Sequence, residues 1–445
     1  MILESKSKFG GGLRSESLTL PGFTHDLCSA IHPLAAVSPF FNSLPLANHG
    51  LKFLYPEIAL AHPFDDGSAI QLMTSLSATA SGMGEDSRAY FKFMRPLIES
   101  WPGIQDDVLA PLHFPKHPLD MASFGWKALS TATQFSKRFQ TEKAKGFWGG
   151  LAMHSQLPFN YLASSAIGLV LLTAGHMRGW PVAAGGSQFI ANALVSYFES
   201  IGGKIELNQP VKSLDQLPSS HAVLLDVTPI QLLDITGNRL SPLYRWQLMR
   251  YRYGMGVFKI DWALADRIPF KAESAKNAGT LHLGGTFREM AETEHAAWSG
   301  KHPTQPAVIL AQQSVIDPGR APEGQHTGWA YCHVPAGSTT NMTLAIENQV
   351  ERFAPGFRDR ILARHIMNTE SMQTLNANYI GGDIGGGANN LSQLFTRPAL
   401  RWAPYRSSAR GIYLCSSSTP PGGGVHGMCG FHAARAALKD IFRIR

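Results

Sequence analysis

Apolar residues follow two periods along the chain, and each period predicts one type of element. Between Phe189 and Phe198 they recur at intervals of three and four, which predicts a helix over 187–200. Ser187 is the expected N-cap of this helix, and the glycines at 202–203 are expected to end it. The same spacing predicts helices in the segments 86–101, 161–175, 340–353 and 431–443.

Short apolar runs bounded by glycine or proline predict strands instead. The expected strands lie at 204–207, 210–214, 221–226, 255–265, 307–315, 329–335 and 411–417. Ile2 to Glu4 has the pattern of the last residues of a strand. The longest apolar stretch, 161–175, is shorter than the roughly 20 residues of a bilayer span, so it predicts a buried helix.

Composition narrows the class of protein. Only 16% of the 445 residues are charged, and the net charge of +7 is not concentrated in any basic run. We therefore expect a globular protein with a large core that does not bind nucleic acid, and peripheral contact with an anionic membrane stays open. Four cysteines without a C-x-x-C pair, and no visible signal peptide, favour a cytoplasmic location.

Two other pairs of polar residues have ordinary structural interpretations. His113 and His117 have the spacing of metal ligands on a helix, but Pro115 lies between them and no third ligand is near, so no metal site is expected. Cys415 and Cys429 flank a glycine turn and are interpreted as buried packing residues. No catalytic acid or base can be named.

The C-terminal segment carries the strongest chemical signal. A buried strand, a glycine-rich turn over 418–430 and a helix together form a typical site for anionic groups. Gly422, Gly424 and Gly427 match G-x-G-x-x-G, but no second strand ending in an acid follows. A glycine-rich cap without a ligand is the alternative.

The N-terminal segment has a complementary pattern. Glu4 ends a strand, and Gly10–Gly12 and Arg14 follow shortly after it. A carboxylate at such a strand end binds ribose hydroxyls in dinucleotide folds, and arginine suits a pyrophosphate. Taken alone, Glu4 would be an exposed acid and the glycines a mobile linker.

Five motifs follow one another along the chain: ES-x4-GGGLRSESLTLPGF, GWPVAAGGSQFIANAL, MGVFKIDWAL, NYIGGDIGGG and IYLCSSSTPPGGGVHGMCGFHAARAAL. In this order they resemble the motifs of phytoene-desaturase-like flavoproteins of the amine oxidase superfamily. This group includes pyridine nucleotide-disulphide oxidoreductase domain proteins, and the resemblance runs from residue 2 to about 443. It implies an α/β fold with a Rossmann-like FAD-binding domain, into which an α+β substrate-binding domain is inserted. The implied FAD domain comprises 1–60, 180–255 and 376–445, and the substrate domain comprises 61–179 and 256–375.

The resemblance also implies an FAD site. Its expected residues are Glu4, Gly11, Gly12, Arg14, Ser15, Val211, Gly422, Gly423, Gly424, Val425 and Met428. Glu4 would bind the adenosine ribose, Val211 would lie against the adenine, and Gly423 would lie at the pyrimidine end of the flavin.

The implied reaction is hydride transfer from a small hydrophobic substrate to FAD, or a flavin-assisted isomerisation, with oxygen or a quinone as electron acceptor. Two departures from the family pattern stand out. The strand, G-x-G-x-x-G turn and helix that normally precede the strand of Glu4 are absent from this sequence, and Ser416 replaces a usual glycine. The alternatives are a truncated, flavin-free homologue that acts as a binding or interaction protein or is inactive, and a dehydrogenase that uses NAD(P) first.

Overall fold

The computed structural model describes residues 1–443, in which strands and helices alternate. In chain order the strands are β1 (Ile2–Leu3), β2 (Ser15–Glu16), β3 (His25–Asp26), β4 (Phe53–Leu54), β5 (Ile58–Pro63), β6 (Ala69–Leu72), β7 (Val182–Ala183), β8 (Ile205–Glu206), β9 (Val223–Leu225), β10 (Gly256–Leu264), β11 (Ala278–Leu283), β12 (Val308–Ala311), β13 (His326–Val334), β14 (Ile361–Met367) and β15 (Ile412–Leu414). The α-helices are α1 (Pro33–Val37), α2 (Pro39–Asn42), α3 (Leu76–Ser81), α4 (Ser87–Val108), α5 (Pro118–Ala128), α6 (Ala132–Ser136), α7 (Glu142–Ala152), α8 (Ala166–Arg178), α9 (Gln188–Ser200), α10 (Pro229–Thr236), α11 (Pro242–Met249), α12 (Glu273–Asn277), α13 (Phe287–Trp298), α14 (Gln313–Ile316), α15 (Thr343–Phe353), α16 (Thr369–Leu375), α17 (Leu391–Thr396) and α18 (Met428–Ala437).

A seven-stranded mixed sheet forms the largest element, in the order β14-β10-β13-β12-β11-β5-β6. Its neighbours are antiparallel except for β11 and β5, which are parallel. Side chains alternate between the two faces of a strand, and helices cover both faces of this sheet. In β10, Val257 belongs to the larger apolar core on one face, whereas Phe258 and Ile260 belong to a second core on the other. Every residue of β10 is therefore buried.

Four short strands form a second unit of two parallel pairs. β1 pairs with β8, and β15 pairs with β9. The pairs carry the N-terminal and C-terminal glycine segments at their carboxyl ends, where ligands bind in open α/β folds. The mixed α/β class predicted from the sequence is confirmed, while the predicted domain boundaries stay a prediction.

Several local expectations are corrected by the structure. The strand expected over 210–214 is absent, because the Ser213 side chain caps a 3-10 turn over Leu214–Gln216. The strand expected to reach Val315 ends at Ala311, and α14 follows it. Ser187 does not cap α9 with its side chain; its hydroxyl donates to the carbonyl of Ser29 at 2.6 Å.

The apolar stretch 161–175 contributes most of α8, which packs in the larger core through Leu169 and Leu172. The buried helix expected there is thus present, although it begins at Ala166. Within residues 1–443, none of the helices combines the length and apolarity needed to cross a bilayer.

Candidate functional site

One large cavity connects the two glycine segments with the seven-stranded sheet. Its volume is about 1290 Å³, and Gly12 and Leu13 line it from the N-terminal side. The C-terminal loop lines it through Gly422–Gly424. Ligand pockets commonly measure about 300–1,000 Å³, so this cavity exceeds the space that one small ligand occupies.

The N-terminal turn is held in shape by Arg14. Its guanidinium is buried and donates to the carbonyls of Gly11 (3.2 Å) and Leu375 (3.1 Å). Gly11 has a φ of +53°, and a Cβ atom on Gly12 would overlap the Tyr379 hydroxyl. The backbone can therefore approach the cavity closely only because these positions are glycine.

Glu4 lies just beyond β1, and its carboxylate accepts a hydrogen bond from the Lys6 amide at 2.8 Å. Across the cleft, Asp226 follows β9 and lines the cavity. The surrounding protein removes water from the Asp226 carboxyl, and this desolvation raises its pKa to about 6. The negative charge of Glu4 makes a second, smaller contribution in the same direction. The ends of the two parallel pairs thus place the carboxylates of Glu4 and Asp226 close enough to interact, and Asp226 is the one on the cavity wall.

The C-terminal loop is organised by His426, which the sequence analysis missed. Its Nδ1 accepts the Met428 amide (3.0 Å), and its Nε2 donates to the Gly422 carbonyl (3.1 Å). Burial lowers the pKa of His426 to about 4, so the ring is neutral and can act as donor and acceptor at once. The ring therefore joins the glycine turn to the first turn of α18.

A second loop, 383–389, is held in place beside the glycine turn by two buried polar residues, Asp383 and Arg397. The Asp383 carboxylate accepts the amides of Gly254 and Gly385, both at 2.7 Å. The Arg397 guanidinium donates to the carbonyls of Gly387 (2.9 Å) and Ser417 (3.1 Å). Asp383 stands between a pair and a run of three glycines in the sequence, and this is the signal that could have identified the loop as ordered.

Ser15 belongs to an interior network rather than to the cavity wall. Its hydroxyl donates to Asp26 (2.7 Å) and accepts the Gln188 amide (3.1 Å). Burial opposes ionisation of Asp26, but Arg320 and several hydrogen bonds outweigh it and hold the pKa below its usual value. This network fixes β2, β3 and the start of α9 against one another.

The inner end of the cavity is an apolar chamber. Trp329, Tyr331, Ile309 and Val257 line it from the sheet. Lys259 is the buried charged residue on this wall, and its ammonium pairs with Asp261. A large apolar volume beside few polar groups suits an apolar organic ligand.

His154 adds a polar group to the same chamber. Its Nε2 lies 2.9 Å from Nε2 of His282, and burial lowers the pKa of His154 to about 3. One ring donates and the other accepts, because two protonated rings would repel each other at this distance. The chamber is thus free of an additional positive charge at neutral pH.

Of the residues predicted to bind the cofactor, the structure places one group on the cavity wall: Gly12, Gly422, Gly423, Gly424 and Val425. A second group lies outside the wall: Glu4, Gly11, Arg14, Ser15, Val211 and Met428. Val211 packs against a small apolar core with Leu214 and Leu225. The predicted binding roles of all these residues stay predictions.

Similarity to solved structures shows a known fold. An oxidoreductase from Methanosarcina mazei superposes with a TM-score of 0.62 at 13% identity, covering 98% of this chain and 93% of that one. A triple mutant of putrescine oxidase gives a TM-score of 0.60 at 16% identity, covering 99% and 93%. The chain therefore shares the fold of these two oxidoreductases.

Sequence similarity to curated proteins gives the finer resemblance. The chain is 25% identical to mouse (Mus musculus) pyridine nucleotide-disulfide oxidoreductase domain-containing protein 2, over 99% of this chain and 89% of that protein. It is 23% identical to the neurosporene-forming phytoene desaturase of Rhodobacter capsulatus, over 56% and 51%. No protein-family model matches the chain. The resemblance predicted from the motifs is confirmed.

Proposed function

We propose that this chain binds FAD and oxidises a small hydrophobic substrate. The observation that carries the proposal is the single cavity that joins both glycine segments to an apolar chamber. Such a cavity has room for a cofactor along the glycine turns and for a substrate beneath the sheet. The similarity to oxidoreductases in sequence and fold supports the same assignment.

The residues present suit a flavin nucleotide. Gly422 and Gly424 have φ values of +108° and +132°, so the loop exposes backbone where a side chain would stand. Cys429 and Gly430, in the first turn of α18, line the cavity, and a helix N-terminus favours negative charge. The cavity supports the proposed FAD contacts of Gly12, Gly422, Gly423, Gly424 and Val425. The contacts proposed for Glu4, Gly11, Arg14, Ser15, Val211 and Met428 rest on the resemblance alone.

When bound, FAD supplies a ring that accepts a hydride from a substrate C–H bond. The chain's own residues orient the substrate and exclude water. Trp329 and Tyr331 present flat apolar surfaces to the chamber, and Lys259 is held by Asp261. We propose oxygen or a quinone as the acceptor that reoxidises the cofactor.

The proposal is tested by titrating the purified protein with FAD and following flavin fluorescence and absorbance. We expect saturable binding near one flavin per chain. Gly423→Val should weaken it at least tenfold, because a Cβ atom there lies 3.0 Å from the Gly385 backbone and fills the turn. Gly319→Val is the matched control, since a Cβ atom at Gly319 has only Asp317 near it, at 3.8 Å.

Absence of flavin binding by the wild-type protein would reject the proposal and favour the flavin-free binding protein. Preferential binding of NAD(P)H over FAD in a competition titration would favour the NAD(P)-first dehydrogenase. Equal flavin affinity in the Gly423→Val and Gly319→Val variants would show that the cofactor does not lie against the C-terminal turn.

A further inference from the structure

Two imidazoles, those of His154 and His282, interrupt the apolar wall of the chamber. His282 is fully buried on β11, and His154 lies in the turn that follows α7 and lines the cavity. The Trp180 ring lies 6.1 Å from both imidazole rings, and Ile309 stands opposite His282 in the sheet. Polar groups in apolar surroundings are costly unless they are hydrogen-bonded, so this pair is a candidate contact for a polar atom of a ligand.

The hydrogen bond within the pair decides what His154 offers to the chamber. The two Nε2 atoms are 2.9 Å apart, so one of them carries a proton and the other accepts it. Nδ1 of His282 is buried and has no partner within residues 1–443. A Cβ atom placed on Gly150 of α7 would lie 2.6 Å from this nitrogen. A proton on Nδ1 of His282 would therefore point at the helix, where nothing accepts it.

The lower cost of an unpaired acceptor assigns the protons. Buried N–H groups without an acceptor are rarer in proteins than acceptors without a donor. His282 therefore keeps its proton on Nε2 and donates it to Nε2 of His154. Burial lowers the pKa of His154 to about 3, so this ring is neutral and carries its single proton on Nδ1.

Nδ1 of His154 is free to bind a ligand. It lies on the side of the ring turned away from His282, and His154 is partly exposed to the cavity whereas His282 is not. Within residues 1–443, this nitrogen has no hydrogen-bond partner. The chamber thus offers an uncharged N–H donor, which needs an acceptor such as a carbonyl or hydroxyl oxygen.

The charged groups of the cavity favour a neutral ligand. Among the described residues, the carboxylates that line the cavity are those of Asp107 and Asp226, and neither belongs to the seven-stranded sheet. Asp107 already accepts a hydrogen bond from His113. Lys259 on the sheet is paired with Asp261. Neither an ammonium nor a carboxylate group would find a free counter-charge in the chamber, and burying an unpaired charge is costly.

We propose that the substrate is a mostly apolar molecule with one neutral acceptor oxygen, carbonyl or hydroxyl, which His154 binds through its Nδ1–H group. His154 determines this specificity, and His282 is a positioning residue that acts by fixing the tautomer of His154. The inference rests on the proposed function, because it takes the chamber as the place of the substrate. The contact itself requires neither hydride transfer nor bound flavin, so it can be tested separately.

The test is equilibrium dialysis of the full chain against naphthalenes that carry different groups at the same ring position. Acetylnaphthalene has an acceptor oxygen, ethylnaphthalene has the same shape without one, and naphthoate and naphthylethylammonium are charged. Binding is measured with and without saturating FAD. We expect both charged probes to bind at least about a hundredfold more weakly than the ketone, because the chamber leaves their charge unpaired.

The decisive quantity is the affinity for the ketone divided by the affinity for ethylnaphthalene. His154→Phe keeps a planar ring but removes the donor, so this ratio should fall about tenfold. His154→Asn retains an amide N–H group near the position of Nδ1 and should preserve most of the ratio. In the wild type, nitrogen NMR of labelled imidazoles should show a proton on Nδ1 of His154, and its resonance should shift with the ketone only.

His282→Phe tests the positioning role. It removes the donor to Nε2 of His154, so the NMR spectrum should show a mixture of the two tautomers of His154, and the ratio should fall by roughly threefold. An unchanged tautomer in this variant would contradict the role assigned to His282.

His176→Phe is the matched control, because His176 is a buried imidazole outside the cavity wall whose Nε2 is 2.7 Å from the Tyr90 hydroxyl. It should leave the ratio unchanged. Equal ratios in the wild type and His154→Phe overturn the inference, and so does a preference for naphthylethylammonium. A ratio that falls in Tyr331→Phe instead overturns the assignment to His154. Flavin binding without a ketone preference rejects this inference alone, whereas a ketone preference without flavin binding rejects the proposed function and supports the contact.

Discussion

The seven-stranded sheet and the two parallel strand pairs meet at the same cavity, yet they are built differently. β10 in the sheet has nine residues, all buried, and it pairs with neighbours on both sides. β1 and β15 have two and three residues, and each pairs with one partner strand. The sheet is therefore stabilised by its own packing, whereas the short strand pairs need the contacts of the loops that they carry to stay in place. We therefore expect most of the stability to come from the sheet, and the proposed binding groups to lie on the loops of the pairs.

The largest expected effect lies in the sheet. Trp262 is fully buried, and its Nε1 donates to Glu347 at 3.1 Å. Trp262→Ala should reduce the free energy of unfolding by about 3–5 kcal/mol, because it removes a large core side chain and leaves the carboxylate with one partner fewer. Urea unfolding measures this change.

Trp402→Ala is the matched control for that substitution. This side chain is almost fully exposed, and removing it should change the free energy of unfolding by no more than about 0.5 kcal/mol. If both substitutions cost the same, the sheet is not the main source of stability and the contrast between the two regions fails.

A smaller expected effect is the pH dependence of stability, to which one buried histidine in each region contributes. Burial lowers the pKa of His62 in β5 and of His426 in the glycine loop to about 4 each. In the unfolded chain the same groups titrate near 6.5, so the unfolded state takes up protons first as the pH falls. Each histidine should therefore stabilise the fold above pH 6.5 and lose that contribution progressively down to about pH 4, by about 2 kcal/mol between pH 7 and 5.

The two histidines should differ in where the loss is observed. The contributions of both histidines should appear in global unfolding by urea, and that of His426 should appear in addition as faster amide exchange of the 422–430 loop. His62→Gln and His426→Gln should each remove the corresponding pH dependence. Amide exchange of the loop that does not respond to pH would mean that the glycine turn unfolds only with the whole molecule.

The sequence predicts the sheet region better than the loop region, and the reason is physical. β10 lies wholly within the expected strand, because strong apolar alternation is a local signal. The expected strand over 210–214 fails, because the capping box of Ser213 and Gln216 favours a turn locally. The helix α14 is missed for a different reason: the Gln312 side chain bonds the carbonyls of Ala275 and Ala278, which are distant in the chain.

The candidate site shows the same difference between residues with a local sequence signal and residues that act through distant contacts. The glycines at 422–424 could be identified from local pattern and resemblance, and the structure places them on the cavity wall. His426, Asp383 and Arg397 act through partners that the sequence does not place near them. Their burial and contacts are tertiary properties, so periodicity and spacing could not have revealed them.

The smallest expected effect concerns Glu4, which follows a strand of two residues at the edge of the less packed unit. Glu4→Gln removes the charge but keeps the size of the side chain, so flavin affinity should fall by roughly five- to tenfold while the fold stays intact. The pKa of Asp226 should also fall, because the charge of Glu4 contributes to its elevation. Fluorescence titration with FAD measures the affinity.

Glu206→Gln is the control for this change, because Glu206 pairs with Leu3 in the same small sheet and is exposed. It should leave flavin affinity unchanged. Equal affinity in both variants would mean that the carboxylate of Glu4 contributes nothing to the cofactor site, and the parallel pair would then serve only to hold the glycine turn. A loss confined to Glu4→Gln would show instead that a short, weakly packed strand can still position a binding group, because the adjoining pair β1–β8 fixes its carboxyl end.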